Sequence, residues 1–221
     1  GDGTWMVDLS GTWDIQPGSN GGAHVTDVDG DGTHSGWYIP NPAFSVNPHD
    51  EGVWGWDWPS EEEIDITVTR GAAVVYNGTA DIDSNRNFGT NTWPFDIQVG
   101  DVVAVSVDGG PAKTHEVLAL TFDEYDETSE SVRGTAPEGS QVKAWGCDDQ
   151  MCEESDETFA GEFNTYEAFF PTLDIRRGTQ GSVWRSDDDG DNTEIGWRTT
   201  PRTTRSQAKA ACMTEDLSGV G

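Results

Sequence analysis

The chain has 221 residues, with 41 Asp and Glu against 12 Lys and Arg, for a formal charge of −29. Nucleic acid demands a basic footprint and an anionic membrane surface demands the same, so neither is an expected partner. No apolar run reaches the length of a membrane span, so insertion is not expected. At 33% hydrophobic the chain is lean, and its 10 Trp, 8 Phe and 4 Tyr must supply much of any core. An acidic, lysine-poor surface suits divalent cations, high salt or basic partners, and so an extracellular or cell-surface setting.

In chain order, Trp5, Val7 and Leu9 alternate with Thr4, Met6 and Asp8, which predicts a strand over Thr4–Leu9. Pro17-Gly18 is a turn, Ser19–Gly22 a polar loop and Ala23–Thr26 a short strand. An acidic loop, Asp27–Thr33, leads to a strand over Gly36–Ile39. Pro40, Pro42 and Pro48 mark an extended linker and a module boundary. Trp54, Trp56 and Trp58 alternate, which places them on one face of a strand. Ile64–Thr69 alternates cleanly, and Ala72–Tyr76 follows Gly71 as its hairpin partner. Asp101–Val107 and Thr114–Phe122 predict further strands. Ser131–Val142 reads as strand, turn, strand, with strands again at Thr158–Phe163 and Glu167–Phe170. From Thr199 the composition turns Thr- and Arg-rich, and Ser206–Met213 is the one helix-like stretch. Short strands at this spacing, separated by Gly, Pro, Asn and Asp, predict an all-β protein of sandwich modules.

An internal repeat organises the chain. Trp13–Trp37 aligns without a gap on Leu173–Trp197, an offset of 160 residues, and 11 of the 25 positions are identical. The shared unit is a D-I-x-x-G turn, a strand, an acidic loop and a strand closing on Gly-Trp. The first acidic loop carries Asp27, Asp29, Asp31 and Thr33, and the second Asp187, Asp189, Asp191 and Thr193. Carboxylates at alternate positions can converge on one hard cation, so each loop is a candidate calcium site. The twelfth position is Tyr38 in one and Arg198 in the other, so neither is an EF-hand. A metal-free Asp/Gly turn is the alternative reading of both.

Cys147 and Cys152 flank four residues, a spacing that suits a disulfide-closed hairpin tip, with a metal pair as the alternative. Cys212 is left odd. The four His are scattered, and no nucleophile, zinc or phosphate-loop motif occurs, so no catalytic residue is assigned and an enzyme is not expected.

The run V-R-G-T-A-P-E-G-S-Q-V at Val132–Val142 is similar to the opening of bacterial immunoglobulin-like repeats, in which V-x-G-x-A-x-x-G-x-x-V begins each sandwich. Their closing half resembles Gly3-Thr4-Trp5 with Asp14–Gly18, Asn87-Phe88 with Asp96–Gly100, and Gly161–Phe163 with Asp174–Gly178. Such repeats stand in tandem in large secreted surface proteins, so the resemblance implies adhesion, spacing or assembly. It divides the chain into the C-terminal half of a module at 1–41, immunoglobulin-like β-sandwich modules at 42–117 and 118–200, and a basic tail at 201–221. A half-module exposes a sheet edge and an apolar face. Two solutions are open: the sequence is a piece of a longer array whose preceding half-module completes it, or a neighbouring copy completes it by head-to-tail strand addition, which builds a filament. The expected function is therefore an extracellular structural or adhesive subunit with calcium-stabilised loops. The alternative is a carbohydrate-binding module of a secreted enzyme, with Trp54, Trp56 and Trp58 as the platform for polysaccharide.

Overall fold

The computed structural model describes residues 5–59, 62–91, 95–107 and 109–199. The helix-like stretch Ser206–Met213, the basic tail and Cys212 lie outside the described residues. Among the described residues every regular element is a strand. The first two, β1 (Asn20–Thr26) and β2 (Gly32–Tyr38), form an antiparallel hairpin with Ala23 opposite Ser35. The hairpin begins earlier than the polar composition of Ser19–Gly22 predicts. Residues 5–9 form no strand, contrary to their alternation. A strand needs a ladder partner, and nothing in the described chain pairs with these residues.

Seven strands follow: β3 (Ala43–Asn47), β4 (Gly52–Trp56), β5 (Glu63–Arg70), β6 (Ala73–Asp81), β7 (Phe88–Asn91), β8 (Val102–Val107) and β9 (Lys113–Glu116). They form two layers, β3-β4-β7 facing β6-β5-β8-β9. Ile64, Ile66 and Val68 point inward from β5 at period two, and Val103 and Val105 do so from β8. They meet Phe44, Val46 and Val53 from the other layer in one core. Each fully buried side chain of this kind stabilises the fold by roughly 1.5–3 kcal/mol.

The third set is β10 (Glu124–Asp126), β11 (Ser131–Thr135), β12 (Gln141–Cys147), β13 (Cys152–Glu154), β14 (Thr158–Phe159), β15 (Thr165–Phe169), β16 (Gln180–Ser186) and β17 (Asn192–Arg198). Here β10-β11-β15 packs against β13-β12-β16-β17, with β14 beside β12. Counting the β1–β2 hairpin as the first unit and β3–β9 as the second sandwich, this is the third, and its separate core holds Val132, Ala144, Tyr166, Phe170, Leu173, Ile175, Val183 and Trp197. The predicted strands Thr114–Phe122 and Thr158–Phe163 shorten to four and two residues: after β9 the chain passes into the other sandwich, and after β14 it crosses from the β12 layer to β15 in the β11 layer.

The two sandwiches share a seam. β17 pairs in parallel with β3, Asn192 opposite Ser45 and Thr193 opposite Val46. This joins their sheets in the order β13-β12-β16-β17-β3-β4-β7. The Ser45 hydroxyl lies 2.6 Å from Asn192 Oδ1 and 3.0 Å from Glu194 Oε2.

Candidate metal centre and open hairpin face

The two acidic loops have the same backbone. Asp27 N–H donates to the Asp31 carbonyl at 2.9 Å, and Asp187 N–H to the Asp191 carbonyl at 2.9 Å. Gly30 and Gly190 hold φ of +98° and +90°, the left-handed region that only glycine enters freely. Each loop gathers three carboxylates whose nearest oxygens lie within 4.8 Å of one another: Asp27, Asp29 and Asp31, and Asp187, Asp189 and Asp191.

Their surroundings differ. Asp27, Asp29 and Asp31 are all exposed, and none forms an ion pair among the described residues. The second loop is pressed into the seam between the sandwiches. Asp191 is fully buried and accepts the Phe44 N–H at 2.9 Å. Asp187 lies 2.6 Å from Nδ1 of the buried His115. Thr193 Oγ1 accepts the Leu118 N–H at 2.8 Å and lies 2.9 Å from His115 Nε2, so its hydroxyl serves the seam. Thr33, its counterpart on β2, is exposed. Lys113 Nζ stands 3.2 Å from Asp191 and 3.4 Å from Asp189, and donates to the Pro42 and Asp189 carbonyls.

Burial pushes the Asp191 carboxyl up to about 6, against the Phe44 hydrogen bond and the Lys113 charge. Burial also raises Asp187, whereas the hydrogen bond with Asp187 and then the nearby Lys113 hold Asp189 down. Asp191 Oδ2 is buried without a hydrogen-bond partner. An orphaned buried acceptor costs about 1–3 kcal/mol, and more when charged. A bound cation removes that cost.

The repeat exposes a second contrast. Leu173, Ile175 and Trp197 lie in the third core, at 0%, 1% and 4% exposure. Trp13, Ile15 and Trp37 hold the same repeat positions at 70%, 50% and 38%. The first hairpin therefore presents an unfilled apolar face. Trp5, Val7, Trp13, Ile15, Ala23 and Trp37 line a concavity of about 970 Å³ on it. In the second copy β12 covers the edge of β16, with Gly146 opposite Gly181, and the third core covers its face.

The tryptophan stripe is not one platform. Trp54 and Trp56 lie on the outer face of β4, with Trp56 40% exposed. Asp57 then takes φ +64°, and Trp58 turns into the core, donating from Nε1 to the Ala43 carbonyl at 3.0 Å. Its ring meets Phe88 edge-on. Cys147 and Cys152 face each other across the β12–β13 tip in a disulfide, with Cα atoms 4.0 Å apart. Sequence reasoning missed Lys113, His115 and the Phe44 N–H. A lone Lys and a lone His in a lysine-poor acidic chain are the only signal available for the first two.

No family model matches the chain, and no curated protein matches it. Among solved structures it is similar to a tetra-tandem repeat in the extending region of a large adhesion protein, at 15% identity and a TM-score of 0.27, over 80% of this chain and 55% of that one. It is also similar to the BSP domain of a biofilm associated protein, at 16% identity and a TM-score of 0.31, over 76% of this chain and 30% of that one. The chain thus spans about half or less of the solved chains it resembles.

Proposed function

We propose that this chain is part of an extracellular or cell-surface structural and adhesive protein, built of tandem immunoglobulin-like sandwiches and able to assemble with further copies. Residues 1–41 are the closing half of one module, 42–117 and 118–200 are whole modules, and 201–221 is a basic tail. Calcium is the cation that the acidic-loop carboxylates take. The observation that carries this reading is the hairpin β1–β2. It repeats the sequence and backbone of β16–β17, yet its apolar face has no cover among the described residues. A face of this size is a docking surface, and a strand added along β1 from a neighbouring copy satisfies its free ladder groups. The contact is head-to-tail and does not close, so it propagates.

Gly21 gives a specific test. Its counterpart Gly181 lies so close to β12 that a Cβ there would meet the Trp145 carbonyl oxygen at 1.9 Å. At Gly21 the nearest atoms a Cβ would meet belong to the Trp37 ring, at 2.6 Å. Gly21→Val is expected to crowd a strand approaching β1, and because the Trp37 ring must move aside for it, circular dichroism of the variant checks that the single chain still folds. Light scattering after size exclusion, with negative-stain microscopy, is expected to show large oligomers or filaments of the unaltered chain and smaller species of Gly21→Val. A monodisperse monomer of the unaltered chain at every concentration and calcium level overturns the assembly reading. Retention on insoluble polysaccharide, lost in Trp56→Ala, would move the assignment to a carbohydrate-binding module.

A further inference from the structure

We propose that Asp187, Asp189 and Asp191 form a divalent-cation clamp between the two sandwiches, while the Asp27–Asp31 loop, alike in sequence and backbone, is not a built site on its own. The inference rests on the cation reading above and adds to it which loop binds and what binding controls. Four observations carry it.

First, the second loop contains a buried oxygen with nothing to bond: Asp191 Oδ2. Its other oxygen is already held by the Phe44 N–H. Lys113 Nζ approaches the oxygen that Phe44 already holds, so Oδ2, next to two further carboxylates, is placed to share a cation with them. Second, the charges count to a divalent ion. Three carboxylates face one ammonium, Lys113, which with a neutral His115 beside Asp187 leaves two negative charges unbalanced at a partly buried cluster. Third, the donors are hard oxygens, the set that calcium and similar cations take. Fourth, the ligands are also the fastenings of the seam. Asp191 holds Phe44 at the start of β3, and Asp187 holds His115 on β9. A cation that fixes these carboxylates also fixes the β17–β3 pairing, and by linkage the closed seam raises affinity for the cation.

The first loop lacks all of this. Its carboxylates are exposed, it has no buried orphan oxygen, and no second sandwich reaches it among the described residues. Water already solvates its charges, so a cation gains little there.

The test uses the full chain and calcium chloride alone. Calorimetric titration is run on the unaltered chain, Asp27→Asn and Asp189→Asn, with amide hydrogen exchange of the segments containing Phe44 and Leu118 in parallel. Asp189 is chosen because its carboxylate is 57% exposed and the seam does not hang from it, so the variant folds. Asp27→Asn is expected to bind as the unaltered chain does, and Asp189→Asn about tenfold more weakly or worse. Calcium is expected to slow exchange at Phe44 in the unaltered chain and in Asp27→Asn, and not in Asp189→Asn. Lys113→Gln removes the competing charge and is expected to bind more tightly. Absence of binding to the unaltered chain overturns this inference and the cation reading together. Binding lost in Asp27→Asn and kept in Asp189→Asn leaves the cation reading standing and overturns this inference. Binding at the second loop without protection of Phe44 overturns the clamp.

Discussion

Trp37 and Trp197 stand at the same place in two hairpins 160 residues apart, and only Trp197 is covered, by the rings of Phe122 and Phe170 at 6.1 and 6.0 Å. Removing the two indoles therefore has unequal cost. Trp197→Ala is expected to destabilise the third sandwich by about 3–5 kcal/mol. Trp37→Ala in the single chain is expected to change stability by about 0.5 kcal/mol or less. Urea denaturation of both variants at low protein concentration measures the difference. A large loss for Trp37→Ala under those conditions would show that the first hairpin is already covered in the monomer.

The stripe Trp54-x-Trp56-x-Trp58 divides in the same way. Trp58→Ala opens a cavity beneath Phe88 and leaves the Ala43 carbonyl without its indole donor, so a loss of about 3–5 kcal/mol is expected. Trp56→Ala removes a side chain that is 40% exposed, and a change of about 1 kcal/mol or less is expected. Thermal unfolding of the pair checks the order. Equal losses would place Trp56 in a packed environment.

Asp101 governs the acid limit of the second sandwich. Its buried carboxylate accepts Arg70 Nε and Nη2, both at 2.8 Å, and the Gln98 N–H at 2.8 Å. The Arg70 hydrogen bonds, ahead of the Gln98 amide, hold its carboxyl below the usual value of 3.8. A depressed folded value means that the stabilisation is fully present above about pH 4 and is lost as pH falls through the folded value. Arg70 is 40% exposed and solvent screens part of the pair, so Asp101→Asn is expected to cost about 2 kcal/mol at pH 7. The variant should also lose less stability on acidification below pH 4 than the unaltered chain. Denaturation midpoints at pH 7, 4 and 3 measure both effects, and parallel curves would remove Asp101 from the account.

The disulfide between Cys147 and Cys152 closes a short loop, with a sequence separation of 5. Chain-entropy arguments assign such a loop about 2 kcal/mol. Reduction is expected to lower the stability of the third sandwich by that amount and leave the second unchanged. Both halves are read in one denaturation series with and without a thiol reductant. An unchanged third sandwich would show that the β12–β13 tip is fixed without the bond. Arg176 then remains as its anchor, through Asp148 at 2.9 Å.

The strands with period-two alternation and a local partner were legible in the sequence. Ile64–Thr69 alternates and its hairpin mate follows at once, so its inward face could be read directly. The repeat also placed both acidic loops and their glycines. Residues 5–9 alternate as well as any strand, yet periodicity reports which face is apolar and not whether a partner strand exists. Trp58 escaped because one positive φ at Asp57 ended the alternation a residue earlier than the pattern suggests. The seam was illegible for a different reason. Phe44 and Asp191 are 147 residues apart, and only the folded arrangement brings one loop into cover and leaves its twin in water.

The parallel pairing of β3 and β17 has a mechanical consequence. A chain pulled from both sides is loaded at Ala43, where β3 begins, and at Arg198, where β17 ends. Because the strands run the same way, those points sit at opposite ends of the seam. Tension then slides the strands past one another and strains the Asn192–Ser45 and Asp191–Phe44 links together, where an antiparallel pair pulled from one end would unzip bond by bond. The junction between the sandwiches is thus oriented to resist stretching along the chain.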